Sequence, residues 1–495
     1  MAKFAQTRQG INRTRTYEGA PATFITDFRE DLVRRVLTTF VNEPKFYGNL
    51  ADQTKELVNL LQKTIEKDPV FVAKLALYAR NELYMRSIAH MIVGELARSS
   101  AGKPYVKEVL YGIANRPDDL IEVLAYYLTT YGKPIPNSLK KGLANAFTKF
   151  NEYQLQKYNR KKDVQLKDIL CLTHPKPVTL EQANMWKRLL ENNLNTPYTW
   201  ETELSIKGNT KEVWEQLINS KKVGYMALLR NLRNILTVNP NNIQLVLDFI
   251  QSPEAVKNSK QLPFRFYSAY KAIGGEGHAA YFHDPFQIRA VTFNMNDAIT
   301  ALQNAMECST MNLETIPGKT ILVNDDSGSM RWTSVSHNSS ITCAEIAALM
   351  MAISHKICEQ SITSSFSSTY RIMPLDKRNG ILSNTKKVVE NCQGGATRME
   401  KIFQYLCHHN IVADRIVIFS DDQSHGYPDS AWRMYKETIA PNAWLHLIDL
   451  AGYGTQVFNS TDNVTYTPGW SEKILQFIPL VEKGESGIVN YIQNL

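Results

Sequence analysis

Two polar clusters in the last third of the chain contain residue types that could hold a metal ion. Asp325, Ser327 and Ser329 form a D-x-S-x-S pattern directly after an apolar stretch, and Asp421 follows a second apolar stretch. Between them, Thr397 ends a Gly-Gly-Ala-Thr turn. Two carboxylates and three hydroxyls are hard oxygen donors, which suit Mg²⁺, Mn²⁺ or Ca²⁺ and do not suit Zn²⁺. The pattern predicts a divalent metal site, with Mg²⁺ as the expected ion.

This donor set predicts docking more than catalysis. Few formal charges surround the ion, so it keeps an open position for water or for a carboxylate or phosphate of a partner. A D-x-D phosphatase needs a second carboxylate where Ser327 stands, and a two-metal nuclease needs a denser carboxylate cluster. The sequence has no G-x-S-x-G, P-loop or G-x-G-x-x-G motif. We therefore predict a protein that is not an enzyme. The alternatives are a metal-dependent nuclease, or serines that only cap a helix beside an Asp421 in a turn.

A second chemistry is indicated by a run of cations in the first half of the chain. The segment from Lys157 to Lys162 contains four cations, Lys161 among them, and one tyrosine, which suits phosphate contacts combined with base stacking. His174 lies between Thr173 and Pro175 and is a further candidate ligand for RNA. A solvated helix end and an ordinary loop histidine are the alternative interpretations.

Other polar side chains could meet a single strand of nucleic acid. Arg230 and Asn231 stand in an A-L-L-R-N-L segment, where they could hold the strand or could tie neighbouring helices together. Arg80 and Arg86 flank a break between two helices and are weaker candidates, because a cap or a salt bridge would explain them as well.

Charge and composition separate two regions of this 495-residue chain. Residues 317–495 contain 15 Lys and Arg against 17 Asp and Glu, whereas the preceding residues contain 41 against 31. A basic region joined to a near-neutral one suggests that the first meets a polyanion. The polar start and the absence of an 18-residue apolar stretch predict a cytoplasmic protein that does not enter a membrane. The six scattered cysteines are expected to be reduced thiols that pack in the interior.

The elements that must position these residues change character near residue 316. Before it, apolar residues recur at three- and four-residue steps in segments such as Val70–Leu83 and Ser138–Tyr158. Helix pairs about 40 residues apart are typical of HEAT-like stacks, and an irregular helical domain is the alternative. After residue 316, strands such as Arg415–Ser420 alternate with helices, which predicts a doubly wound α/β sheet with ligands at the carboxyl ends of its strands. We predict a flexible basic arm over 1–16, a helical domain over 17–316 and an α/β domain over 317–495.

Several motifs resemble known families. The order of strand, D-x-S-x-S, Gly-Gly-Ala-Thr and Phe-Ser-Asp resembles a von Willebrand factor A domain with its metal-ion-dependent adhesion site. In the helical half, three segments resemble the TROVE module of the Ro autoantigen family in order and spacing: Leu166–Pro177, Met226–Leu232 and Leu262–Phe264. Two positions depart from the pattern. Ala396 separates the glycine pair from Thr397, and the additional acid Asp326 is expected to be a surface helix cap.

The resemblance implies a monomeric ring of HEAT-like repeats that is closed by the A domain. It implies that Y RNA, or a similar small structured RNA, binds the outer basic surface through Lys157, Lys161 and His174. Single-stranded 3′ ends of misfolded RNA would enter the central hole, so the protein would act in RNA quality control without being a nuclease. An acidic residue of a protein partner, or a nuclease, would dock at the metal. The competing hypothesis is a metal-dependent protein scaffold with no RNA role.

Overall fold

A computed structural model describes residues 13–24, 27–38, 50–159, 163–195, 198–274, 285–332, 341–451, 453, 455–458, 463–469, 474–475, 477–483 and 487–495. Its first part is helical after two short strands, β1 (Arg13–Arg15) and β2 (Pro21–Phe24). The helices of this part run in chain order: α1 Phe28–Thr38, α2 Leu50–Lys67, α3 Pro69–Asn81, α4 Ser87–Arg98, α5 Val106–Ile113, α6 Pro117–Tyr131, α7 Asn137–Phe147, α8 Glu152–Tyr158, α9 Leu166–Thr173, α10 Leu180–Leu190, α11 Trp200–Lys207, α12 Lys211–Asn219, α13 Tyr225–Val238, α14 Ile243–Gln251, α15 Pro253–Ser259, α16 Pro263–Ala272 and α17 Pro285–Ser309.

Local capping sets the boundaries of these helices. Asp68 accepts a hydrogen bond from the Phe71 amide at 3.0 Å, and Pro69 occupies the first turn of α3, where its missing N–H costs nothing. The predicted continuous helix Ser138–Tyr158 is wrong, because the structure ends α7 at Phe147 and begins α8 at Glu152. Asn151 forms a capping box with Gln154 there, which starts a new helix in place of continuing the old one.

The last part of the chain is an α/β domain around a six-stranded sheet. Strand order is β5–β4–β3–β6–β7–β9, with all neighbours parallel except the edge pair β4 and β5. This confirms the predicted doubly wound sheet. Its elements are β3 Ile316–Asp325, α18 Gly328–Trp332, α19 Cys343–Ile357, β4 Cys358–Phe366, β5 Tyr370–Ile372, α20 Ile381–Glu390, α21 Glu400–His408, β6 Arg415–Ser420, α22 Pro428–Thr438, β7 Trp444–Asp449, β8 Thr455–Gln456, β9 Val464–Pro468, α23 Phe477–Glu482 and α24 Ile488–Asn494.

The helical region contacts the α/β domain at both of its ends. At the first end, Arg34 of α1 is buried and pairs with Asp449 at the end of β7 at 2.5 Å. At the second end, Lys271 of α16 pairs with Glu345 of α19 at 2.7 Å. Because both ends of the helical array are fastened to the same domain, the chain closes on itself. The predicted fold, a helical ring closed by an A-type domain, is confirmed.

The segment before α1 is ordered where the structure describes it, which differs from the predicted arm. Arg13–Arg15 pair with Pro21–Phe24 as an antiparallel hairpin, and β2 pairs in turn with β8. The Thr16 hydroxyl donates to the Ser424 carbonyl at 2.7 Å, so the hairpin is fastened to the α/β domain. The first twelve residues of the predicted arm lie outside the described residues.

Two composition-based expectations can be compared with the structure. All six cysteines are free thiols. Cys343 and Cys358 are buried as expected, but Cys171 on α9 is exposed, so the packing role predicted for every cysteine is wrong at this position. None of the helices in the described ranges combines the length and the apolar character needed to cross a membrane.

Candidate functional site

The first metal loop begins where β3 ends. Asp325 is the last residue of β3, and its two carboxylate oxygens have different partners. The Ser327 amide donates to Oδ1 at 2.9 Å, and the Ser420 hydroxyl donates to Oδ2 at 2.5 Å. The Ser327 and Ser329 hydroxyl oxygens lie 3.3 Å apart. The carboxylate is therefore held in a fixed orientation beside two hydroxyls.

Backbone hydrogen bonds join the three predicted metal loops. The Gly328 amide donates to the Gly395 carbonyl at 3.2 Å, and the His425 amide donates to the Thr397 carbonyl at 2.7 Å. Gly395 has φ +111°, and a side chain at this position would place its Cβ 2.6 Å from the Ser368 hydroxyl oxygen, so only glycine fits there. The structure brings all five predicted ligands to one edge of the sheet, and none is more than 5% exposed: Asp325, Ser327, Ser329, Thr397 and Asp421.

The electrostatics of this edge are those of a site for a cation. Burial and the neighbouring Asp421 raise the pKa of Asp325 well above its usual value. Burial also raises the pKa of Asp421 to about 7, although Ser329 donates a hydrogen bond to it. Neither acid forms an ion pair with a basic side chain of the described residues. A hard divalent cation would supply the missing positive charge, so this donor set fits one.

The proposed ligands at this edge include two carboxylates, Asp325 and Asp421. No group of three or more His, Cys, Asp and Glu side chains in the described ranges is arranged to hold an ion. An ion at this edge would rest on two carboxylates and on neutral hydroxyls, which leaves room for an acidic ligand from outside.

The two neighbouring acids point away from the metal loops and brace them. Asp326 is fully buried, where it pairs with Arg371 and accepts a hydrogen bond from the Ser365 hydroxyl at 2.9 Å. The prediction that Asp326 is a surface cap is therefore wrong. Asp422 is also buried and lies 3.4 Å from the Arg34 guanidinium of α1. The loop of Asp325 is thus fixed within the α/β domain, and the loop of Asp421 is fixed to the helical region.

His174 lies at the junction of two clefts on the helical region. It follows the last residue of α9 with φ 45° and ψ 57°, a left-handed conformation, and its side chain is exposed. A cleft of about 410 Å³ on one side is lined by residues of α5 and α7, and a cleft of about 440 Å³ on the other side lies between α9 and α10. His174 and Pro175 line both clefts. We call the first the lysine groove and the second the apolar cleft.

The lysine groove has a one-sided charge. Its lining contains no carboxylate, and none of its lysines forms an ion pair with an acid in the part of the chain that the structure describes. Four ammonium groups next to an imidazole make a surface that attracts phosphates. The lysines converge from three separate parts of the chain: Lys107 on α5, Lys140 and Lys141 on α7, and Lys176 after α9.

One lysine in the run of cations that was predicted to contact RNA already has an acidic partner within the protein. Lys157, near the end of α8, pairs with Glu201 at 2.7 Å. Burial opposes the charged form of Lys157, but the hydrogen bond and charge of Glu201 raise its pKa. An ammonium group that is already paired gains less from a phosphate than a free one. Lys161 lies outside the described residues.

Some of the side chains predicted to contact a single strand are exposed, and the others form bonds within the protein. Arg230 is exposed on α13, whereas the Asn231 side chain is buried and donates to the Ala227 carbonyl at 2.9 Å. This bond lies within α13, so it is not the predicted bond between neighbouring helices. Arg80 and Arg86 both pair with Asp119 of α6, so the salt-bridge alternative describes them.

Several residues of the lysine groove were not among the candidates predicted from the sequence. Lys140 and Lys141 form a dipeptide that looks like an ordinary solvated helix face, and Lys107 stands alone. Their convergence on His174 depends on how α5, α7 and α9 pack. Only Lys176, two residues after His174, was close enough in sequence to be associated with it.

Comparisons with known proteins agree with this architecture. The TROVE domain family matches residues 37–193 and 187–312, together more than half of the chain, and the Ro60 vWA domain family matches residues 319–468. Telomerase protein component 1 of Rattus norvegicus and its counterpart in Mus musculus are each 27% identical over 292 residues, which are 42% of this chain but only 11% of those relatives. The crystal structure of the Deinococcus radiodurans RO (RSR) protein matches with a TM-score of 0.64 over 93% of this chain and 100% of that chain. This TM-score shows a shared fold, and at 17% identity the match shows the fold alone.

Proposed function

The chain belongs to the Ro autoantigen family of TROVE-domain proteins, and we propose that it is a cytoplasmic RNA-binding protein without catalytic activity. Its partner on the outer surface is a small structured RNA of the Y RNA type. The observation that carries this proposal is the lysine groove beside His174, in which four lysines meet no carboxylate. Counterion release from an RNA backbone is the main source of free energy at such a surface.

The ring supports a second RNA contact for quality control. In this proposal, the ring of the helical region and the α/β domain leaves a central hole, and the hole takes a single-stranded 3′ end of a misfolded RNA. Arg230 is the exposed cation that we assign to this strand. Asn231 would support the helix that carries Arg230, since its side chain is bonded within α13.

The metal site serves docking in this proposal. Asp325, Ser327, Ser329, Thr397 and Asp421 would hold Mg²⁺, which when bound supplies a Lewis-acidic position for an acidic side chain of a partner protein, such as a nuclease that consumes the RNA. The chain's own residues orient the carboxylates, because Ser420 and the Ser327 amide hold Asp325 in place. The buried, cation-free pair of acids supports this assignment.

The experiment that tests the proposal is an RNA-binding titration with recovery of the RNA. The probes are a hairpin with a single-stranded 3′ tail and the same hairpin without the tail, each with and without Mg²⁺. We expect salt-sensitive binding of both RNAs, tighter binding of the tailed one and full-length RNA after incubation. Shortened RNA that depends on Asp325 would instead support a nuclease. Negligible binding at low salt would leave the protein scaffold as the better explanation.

A variant of the exposed arginine separates the two RNA contacts. Arg230→Gln should remove the advantage of the tailed hairpin and leave the affinity for the untailed one unchanged. Lys257→Gln, at an exposed cation of α15, is the control. An equal loss for both RNAs would contradict the assignment of Arg230 to the 3′ end.

A further inference from the structure

The tip of the hairpin formed by β1 and β2 lies against the loop of Asp421. The tip is a turn over residues 16–19, in which the last amide donates to the first carbonyl at 3.0 Å. The Tyr17 amide in this turn donates to the Gln423 side-chain oxygen at 2.8 Å. Gln423 lies two residues after Asp421, and its own amide donates to an Asp421 carboxylate oxygen at 3.2 Å. The turn is thus fastened directly beside one of the proposed metal ligands.

Glu18, in this turn, brings a carboxylate to the edge of the sheet where the proposed ligands gather. It pairs with His425, and the two side chains are 22% and 37% exposed. The His425 amide donates to the Thr397 carbonyl at 2.7 Å, so the partner of Glu18 is attached to a second proposed metal loop. Burial is the main cause of the raised pKa of Asp421, and the negative charge of Glu18 adds to it. The Glu18 carboxylate therefore lies within electrostatic reach of the proposed metal ligands.

Glu18 is also the neighbouring acid that is able to change its partner. The acids that directly follow the proposed ligands, Asp326 and Asp422, are buried, and each is paired with an arginine. Glu18 is held by a partly exposed pair with a histidine, and ion pairs at the surface are weak. A divalent ion that rests on two carboxylates and neutral hydroxyls attracts a further carboxylate more strongly than an imidazole does.

We propose that Glu18 is an internal ligand of the proposed metal site, where it fills the open position of the ion until an acid of a partner displaces it. This inference rests on the proposed metal site and adds control of docking to it. The hairpin holds Glu18 at a high effective concentration, so an outside carboxylate must bind more favourably than the tethered one. The site would therefore select a partner that makes further contacts and would reject small free carboxylates.

The experiment uses the full chain and Mn²⁺, a hard ion that this donor set also suits. The electron paramagnetic resonance signal of the free ion gives its affinity, and the relaxation of water protons shows how many waters remain on the bound ion. The variant is Glu18→Gln, which keeps the size of the side chain and removes its charge. We expect Mn²⁺ to bind the variant about 10-fold more weakly or worse. The bound ion should carry about one or two more waters, which take the place of a monodentate or bidentate carboxylate.

Two control variants distinguish a ligand from a residue that only fixes the hairpin. His425→Gln breaks the pair but keeps the Glu18 carboxylate, so the number of waters on the ion should stay at the wild-type value. Glu437→Gln removes the same charge from an exposed position near the end of α22. This second control should change neither the affinity for Mn²⁺ nor the number of bound waters.

Acetate, the smallest outside carboxylate, tests the competition directly. In the wild type it must displace the tethered Glu18 carboxylate, whereas in Glu18→Gln it displaces only water. The variant should therefore bind acetate at least about twofold more tightly, measured as the acetate concentration that lowers the water relaxation by half of its full change. Equal acetate affinity of the wild type and the variant would contradict the competition and overturn the inference.

The outcomes distinguish the role of Glu18 from the metal site as a whole. If Mn²⁺ carries the same number of waters in the wild type and in Glu18→Gln, Glu18 is only a nearby charge and the inference is overturned, whatever the change in affinity. An equal increase in waters in His425→Gln would show that the pair only fixes the hairpin, which also overturns it. If the wild type binds no Mn²⁺, or if Asp325→Asn binds it equally well, the proposed metal site itself fails and the role of Glu18 fails with it.

Discussion

The lysine groove predicts how strongly RNA affinity depends on salt. It contains four lysines without an ion pair to a described acid: Lys107, Lys140, Lys141 and Lys176. If each neutralises one phosphate, the slope of log K against log salt is about −2.8 to −3.6, taking about 0.7 to 0.9 per contact. Raising the salt concentration fourfold, from about 50 to 200 mM, then weakens wild-type binding about 50- to 150-fold. Lys157 is left out of this sum because it pairs with Glu201.

The variant Lys140→Gln/Lys141→Gln removes half of these contacts. Its slope should fall to about −1.4 to −1.8, so the same change in salt weakens binding only about 7- to 12-fold. The assay is fluorescence anisotropy with a labelled hairpin at four or more salt concentrations. The matched control is Lys401→Gln/Lys483→Gln, which removes the same charge from the α/β domain and should keep the wild-type slope. A slope that is equal in the two double variants would refute the assignment of phosphates to the groove.

The remaining predictions concern the metal loops and two buried charge clusters. Mg²⁺ at about 100 times its Kd should stabilise the protein by about 2.7 kcal/mol and raise Tm by about 3 °C, and Asp325→Asn should abolish this shift in a thermal unfolding assay. Arg34→Met leaves two buried acids uncompensated and should lower the free energy of unfolding by about 3–5 kcal/mol in urea titrations, whereas Arg35→Met, at a half-exposed pair, should cost no more than about 1 kcal/mol. Burial opposes ionisation of Asp119, but the bonds and charges of His90, Arg86 and Arg80 hold its pKa well below the usual range. This contribution is complete above about pH 4 and is lost as pH falls further, so Asp119→Asn should be less stable at neutral pH and lose less stability between about pH 4 and pH 2.

That the proposed metal loops lie together could be predicted from sequence because their signal is local. A buried strand followed at once by acidic and hydroxyl residues has few interpretations in an α/β sheet, and ligands gather at the carboxyl ends of parallel strands. β3 and β6 are hydrogen-bonded neighbours, with Asn324 opposite Phe419, so their ends necessarily meet. The bracing of Asp325 by Ser420 could not be foreseen, since Ser420 looks like an ordinary residue of the strand.

Charged residues were much harder to interpret, because sequence does not show which of them have partners. Arg34 and Arg35 are adjacent, yet one is buried against Asp449, 415 residues away, and the other lies at the surface. Likewise Lys157, in the conspicuous run of cations, is paired, while Lys140 and Lys141 form no ion pair with an acid of the described ranges. Whether each of these side chains has an acidic partner depends on how distant elements pack. Hydrophobic periodicity does not predict that packing.

The two acids that follow the proposed metal ligands Asp325 and Asp421 connect their loops to the rest of the fold. Asp422 has φ +57°, so the chain reverses direction directly after Asp421, and the two carboxylates face different surroundings. Asp421 faces the metal loops, whereas Asp422 faces Arg34 of the helical region. The hairpin of β1 and β2 reinforces this junction, because Thr16 and Ala20 both bond the Ser424 carbonyl a few residues further along the same loop. The loop that carries Asp421, a proposed metal ligand, is therefore also the loop on which the first end of the helical ring is fastened. If the position of α1 changes the affinity of this loop for Mg²⁺, thermodynamic reciprocity requires that Mg²⁺ change the stability of the contact between α1 and Asp422 by the same free energy.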